Sequence, residues 1–275
     1  MGLCSYCGQP AGFLRSQHPE CRARYERAMS MMPSFFAKFL DSQVPAGRFS
    51  ELLQGAAKAA YVPPEDLAAL SVAEIGRIIA SLFDEHPPAV GEVQRVAELI
   101  EQLGDGVSDN PSLNEQLAKA VVVAGLYEGH LPDAVSVAGP MPIDLGHDES
   151  IIWIFNHVLS YRGGAAGRDG SNGGGLGNGM DGTYRSPRML NGIKAPANAA
   201  EEQAEGDLVI TSRNIYFLLS HEDGHRIPIN RIQFLHAFAD GIRVSNSEKK
   251  SRVFLLDDPC FALNVIGRIS KLTDS

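Results

Sequence analysis

Apolar positions recur at helical spacing through the second quarter of the chain. Ile75, Ile78, Ile79, Leu82 and Phe83 fall at i, i+3, i+4, i+7 and i+8, one face of an amphipathic helix. Ser71-x-x-Glu74 ahead of them is a capping-box pattern, and Pro87-Pro88 stops the run. Val93, Val96, Ile100 and Leu103 make a second stripe, closed by Gly104. Leu113, Leu117, Val121 and Ala124 make a third, opened by Ser112-x-x-Glu115 and closed by Gly125. Upstream, residues 22–40 read as helix with a break at Pro33, and residues 49–60 as a shorter one.

The period then changes. Val135-Ser136-Val137 begins an extended region, and residues 149–159 form a long β-branched and aromatic run, as a strand requires. Residues 206–211, 214–219, 225–229, 232–238, 241–244 and 252–256 continue the strand pattern, with an Asp240-Gly241 turn. Asp258-Pro259 reads as a cap and first helical residue, and Phe261, Val265, Ile269 and Leu272 form the stripe of a closing helix. The expected fold class is α+β and multi-domain. Helices in the middle precede a small antiparallel barrel or sandwich capped by one C-terminal helix.

Composition sharpens the division. The 275 residues carry a net charge of −9, but it is unevenly spread. Residues 1–48 hold six Lys/Arg against three Asp/Glu, residues 49–150 four against 17, and residues 151–275 14 against 13. An acidic middle disfavours a nucleic-acid partner, whose phosphates need clustered Lys and Arg. Ten of the 28 glycines lie between Gly163 and Gly182, so residues 163–200 read as a flexible loop. No secretory leader or membrane-span pattern appears, which points to a cytoplasmic protein.

The candidate chemistry sits in the first 27 residues. Cys4-x-x-Cys7-Gly8 is followed by His18-x-x-Cys21, two tight ligand pairs of the kind that hold structural Zn²⁺ tetrahedrally. Gly8 allows the tight turn after the second thiol. Pro19 suits a first helical position, so His18 and Cys21 would face back from a helix start in a treble-clef-like arrangement. Cys260 stands alone in the closing helix and reads as a small buried side chain.

Three further matches fail on context. His221-Glu222-x-x-His225 has the zinc-protease pattern, but that chemistry needs a helix, and Asp223-Gly224 between two strands reads as a hairpin tip. Gly177-x-Gly179-x-x-Gly182 lacks the strand and helix of a dinucleotide site. The acidic run Asp105–Asn110 lacks the calcium ligands an EF-hand loop requires.

Residues 206–217, 226–232 and 240–242 resemble a pleckstrin-homology (PH) or GRAM-like domain. Together with Cys4–Cys21 and Glu128-Gly-His-Leu-Pro ahead of Ile151-Ile-Trp-Ile-Phe, the order resembles a family of uncharacterised bacterial proteins. These join a zinc module, a helical middle and this C-terminal domain. The resemblance implies domains at 1–27, 28–131 and 134–275. It implies no activity; with no catalytic constellation in the sequence, the expectation is a non-enzymatic intracellular adaptor with structural zinc at Cys4, Cys7, His18 and Cys21 and a protein partner. Two alternatives stand beside it. One is peripheral attachment to anionic lipid through Arg162, Arg168, Arg185, Arg188 and Lys194, or through Lys249, Lys250 and Arg252. The other is a metallohydrolase using His221, Glu222 and His225.

Overall fold

The computed structural model describes residues 2–12, 15–132, 143–163, 179–190, 192–195, 203–219, 224–247 and 250–273. Their contacts group into two compact units, Met1–Leu82 with Pro88–Ala120, and Phe83–Pro87 with Val121–Ser275.

The first unit is helical: α1 (Pro19–Ala37), α2 (Ala46–Ala59), α3 (Pro64–Leu82), α4 (Val90–Leu103), the single turn α5 (Asp105–Ser108) and the start of α6 (Pro111–Tyr127). Helix α1 runs unbroken through Pro33, contrary to the expected break. Met32 and Phe36, each 1% exposed, anchor the helix on either side of the proline, and their burial outweighs the one backbone bond it forfeits. Phe36 and Phe39 both pack on Phe49 of α2, at ring separations of 5.4 and 5.0 Å. Beyond α1, Arg95 of α4 donates to the carbonyls of Leu40 and Phe39 at 2.7 and 3.0 Å and lies over the Phe39 ring. A cation is thus placed on carbonyls just past a helix C-terminus, where the macrodipole favours it.

Two expected helix starts are corrected. Helix α3 begins at Pro64, seven residues ahead of the proposed cap, with Glu65 and Asp66 in its first turn. Ser71 lies inside the helix, and its hydroxyl donates back to the Leu67 carbonyl at 2.7 Å. Helix α6 is capped by Asn110, whose side-chain oxygen accepts from the Leu113 N–H at 3.0 Å, not by Ser112. It also passes through Gly125 to Tyr127, and the glycine at positive φ that ends it is Gly129.

The second unit is built on seven antiparallel strands: β1 (Ile151–Gly163), β2 (Ala204–Thr211), β3 (Asn214–Leu219), β4 (His225–Pro228), β5 (Phe234–Phe238), β6 (Gly241–Ser247) and β7 (Lys250–Leu255). They form one sheet in the order β4-β3-β2-β1-β7-β6-β5, and no β4–β5 pairing occurs among the described residues. The sheet is sharply bent. Phe217 on β3 and Phe254 on β7 stand three strand spacings apart, about 14 Å in a flat sheet, yet their ring centroids are 5.6 Å apart. Strand β1 makes the bend by pairing with β2 along most of its length and with β7 at its end. Register shifts between Ile151 and Trp153 and between Phe155 and Val158 add bulges, and His157 takes a left-handed φ of 56° at the second.

Helix α7 (Pro259–Thr273) fills the concave side, and Phe261, Val265, Ile266 and Ile269 join the strand core. Its N-cap is Asp258, whose carboxylate accepts from the Phe261 N–H at 3.1 Å. The described part of the glycine-rich stretch packs against α7, and Met180, Tyr184 and Leu190 join the same core. A Cβ on Gly267 would come within 2.1 Å of the Gly179 carbonyl, and one on Gly179 within 2.7 Å of the Leu263 side chain, so each position needs glycine for this approach. The 4%-exposed Asn264 clamps the same segment. Its Oδ1 accepts from the Arg185 N–H and its Nδ2 donates to the Arg185 carbonyl, both at 2.8 Å.

Glu149, ahead of β1, is buried at 8% exposure and pins the β2–β3 turn. It accepts from Thr211, Asn214, Tyr216 and the Gly146 N–H. Burial alone would raise its pKa, but the bonds from Asn214, Thr211, Gly146 and Tyr216 outweigh burial and hold it below the usual carboxylate value. A depressed carboxylate stabilises the fold above its unfolded pKa, about 4.3. That contribution disappears as pH falls through the lower folded value. The urea midpoint of the wild type should therefore exceed that of Glu149→Gln at pH 7, with the gap closing towards pH 3. A gap independent of pH would rule out this role.

Candidate metal centre

The N-terminal loop is shaped by its own backbone before any side chain is considered. Leu3 bridges Pro10 antiparallel, the Cys4 N–H donates to Gln9 at 2.7 Å, and the Gly8 N–H returns to the Cys4 carbonyl at 2.9 Å. Gly8 supplies the left-handed φ of 70° that this tight reversal needs. Pro19 then opens α1 as its spacing predicts, with His18 at the N-cap. Cys21 lies in the first turn and so faces the loop.

The ligand atoms of Cys4, Cys7, His18 and Cys21 all lie within 4.8 Å of one another, close enough to hold a metal ion. His18 Nδ1 is 3.4 Å from Cys7 Sγ and 3.7 Å from Cys21 Sγ. Tetrahedral coordination with ordinary zinc–sulfur and zinc–nitrogen bonds requires about 3.6 Å between such atoms. The imidazole is oriented for this role. Its Nε2 lies 3.0 Å from the Pro10 carbonyl, which can only accept, so Nε2 carries the proton and Nδ1 presents a lone pair to the thiols. The His18 N–H also donates to Cys4 Sγ at 3.4 Å.

The thiols are not equivalent. Burial opposes ionisation of Cys4, but hydrogen bonds from the backbone of Cys7, His18 and Tyr6 and from the Cys7 side chain bring it down to about 6. Burial, with the neighbouring Cys7 and Cys4, pushes Cys21 up to about 11. A cation among them would offset the repulsion that keeps all three from ionising together. Cys4 and Cys21 are buried, and Tyr6 and Tyr61 pack against the cluster. The donor set, three sulfurs and one imidazole with no carboxylate, fits a closed structural centre.

The other residues singled out by sequence lie elsewhere. Cys260 is buried in α7 and donates to the Arg185 carbonyl at 3.0 Å, and burial pushes its thiol up to about 12. His221, Glu222 and Asp223 lie outside the described residues, and His225 opens β4, paired with Phe217 of β3. Arg168 and Lys249 likewise fall outside the description, as does the Lys250 side chain. Arg185 and Arg188 are ion-paired with Asp181 and Asp84. Arg162 and Arg252 stand directly opposite each other on β1 and β7. Sequence reasoning missed the Pro10 carbonyl, because a backbone acceptor eight residues from His18 leaves no compositional signal.

The protein is thus a mixed α+β chain with a cysteine-rich N-terminal cluster, helices, and an open seven-stranded antiparallel sheet with a C-terminal helix. No protein-family model matches the chain, and no curated protein matches it. Only this coarse plan agrees with the resemblance drawn from sequence, and the GRAM-like refinement finds no support. No described helix is long and apolar enough to cross a membrane.

Proposed function

We propose that the chain is a non-enzymatic adaptor, in which a structural zinc ion held by Cys4, Cys7, His18 and Cys21 fixes the N-terminal module and the C-terminal unit is a PH-like binding domain. Zinc is favoured by the donor set and the sulfur–nitrogen spacing. The PH-like reading rests on a bent seven-stranded sheet whose concave side holds a C-terminal helix.

The observation that carries the binding role is an apolar cleft of about 390 Å³ in the first unit, lined by Phe35, Phe39, Phe49, Leu52 and Leu53. Phe35 is 44% exposed and Leu52 54%, with Met31 at 50% one turn before Phe35. Large apolar side chains grouped in this way mark contact surfaces more often than solvated ones.

A photo-crosslinking residue at Phe35 of the full chain, expressed in cells, should yield a discrete adduct with another protein, and Leu52→Glu should abolish it. Failure to form an adduct at Phe35 or at Phe234, on edge strand β5, would contradict the adaptor reading. The lipid alternative draws on the basic side chains Arg162 and Arg252, which stand opposite each other on β1 and β7, with Arg252 donating to the Ser160 hydroxyl at 3.2 Å. It requires the full chain to float with anionic vesicles at low salt.

A further inference from the structure

Strands β5 and β6 end the sheet at one edge, and their side chains alternate between its faces. Leu235, Ala237, Ile242 and Val244 belong to the main core. His236, Arg243 and Ser245 therefore share the opposite face. His236 is paired directly with Arg243, and Ser245 follows two residues along. Cβ atoms of directly paired residues lie about 5 Å apart. Same-face neighbours on one strand lie about 7 Å apart. Three polar groups at such spacings can surround one small ion.

Two of these groups are buried and unsatisfied. Ser245 is 1% exposed, and its hydroxyl has no hydrogen-bond partner. The Arg243 Nε is buried and also has none, while its guanidinium carbon lies 5.6 Å from the Phe238 ring centroid. No ion pair to Arg243 is formed among the described residues. Asp240, on the adjoining turn, uses Oδ1 to accept from the Ala195 N–H at 2.7 Å. A buried guanidinium edge and a buried hydroxyl on one face, both unpaired, are costly to the empty protein and would be satisfied by a bound acceptor.

We propose that His236, Arg243 and Ser245 form a binding site for a phosphate-class oxyanion on the outer face of the β5–β6 hairpin. Guanidinium, hydroxyl and imidazole N–H together offer donors from two strands, which suits a tetrahedral anion with several acceptor oxygens. Burial and the Arg243 charge hold His236 below its ordinary pKa. The charged group facing His236 is Arg243 of β6. Val253 of β7 and Tyr161 of β1 continue the same row without an ionised side chain at neutral pH. A bound anion would oppose Arg243 and make protonation of His236 easier. The site rests on strand register and on the two unpaired buried atoms, and stands apart from the adaptor reading.

Titration of the full chain with inorganic phosphate, followed by calorimetry and by NMR of the His236 ring, tests the site. Binding is expected, with the His236 pKa rising in phosphate. Arg243→Gln should weaken binding at least about tenfold, and Ser245→Ala should weaken it by a smaller factor. Arg243→Lys keeps the charge and serves where the glutamine variant does not fold. Vesicles of phosphatidylcholine with or without a phosphoinositide separate the sources. Phosphate binding without phosphoinositide-dependent flotation supports a soluble phosphate, and flotation lost in Arg243→Gln supports a headgroup. Absence of both binding and flotation, an unchanged His236 pKa in saturating phosphate, or equal affinity in Arg243→Gln would overturn the proposal.

Discussion

Cys21→Ser should abolish zinc binding by the full chain and expose the N-terminal loop to proteolysis, while most of α1 stays folded. The ligand loop is short, and its apolar cluster is small: Cys4, Ala11 and Cys21 with Tyr6, Cys7 and Tyr61. Without a metal it has too little buried surface to hold itself together. Structural zinc in isolated fingers contributes roughly 10–16 kcal/mol of apparent binding energy at neutral pH, and that energy is folding energy. Helix α1 has a separate anchor in Met32 and Phe36, so the loss should stop within its first turns. Metal analysis should fall from one zinc per chain to none, with trypsin cutting first at Arg15. Cys260→Ser, which alters a thiol bonded to the Arg185 carbonyl, should keep its zinc. A Cys21→Ser protein that retained zinc and a protected N-terminus would remove the basis for this assignment.

Phe254→Ala should cost about 3–5 kcal/mol, a large share of the roughly 5–15 kcal/mol by which a domain is stable. Phe254 is fully buried and meets Phe217 across the bend. The informative quantity is the coupling. Phe217→Ala and Phe254→Ala should be non-additive by about 0.5–1.5 kcal/mol, because the rings touch and share one cavity. Additive losses in urea unfolding would mean that β3 and β7 lie on separate parts of a flat sheet.

What could be read from sequence was local. Cys4, Cys7, His18 and Cys21 are legible because each ligand pair spans four residues and a single turn brings each together. The strands are legible because β-branched residues and turn signals alternate along them. What failed depended on distant partners. Ser71 looked like a cap, but Pro64 starts the helix earlier and the Ser71 hydroxyl has a carbonyl to bond within it. Pro33 looked like a break, and only the burial of Met32 and Phe36 overrides it. Residues 179–190 belong to a stretch that reads as glycine-rich loop, yet Gly179 meets Gly267 and Asn264 grips Arg185, the latter across 79 positions. The bend arises from one strand pairing with two others, which no single-strand pattern contains.

A zinc ion bound by three sulfurs and one imidazole is the proposed organiser of the N-terminus. X-ray absorption at the zinc edge of the purified full chain tests it most directly. The expected result is one zinc per chain, with three sulfur neighbours at about 2.3 Å and one nitrogen at about 2.0 Å. A first shell dominated by oxygen, or a chain that stays metal-free and folded at its N-terminus in zinc-replete buffer, would contradict the account.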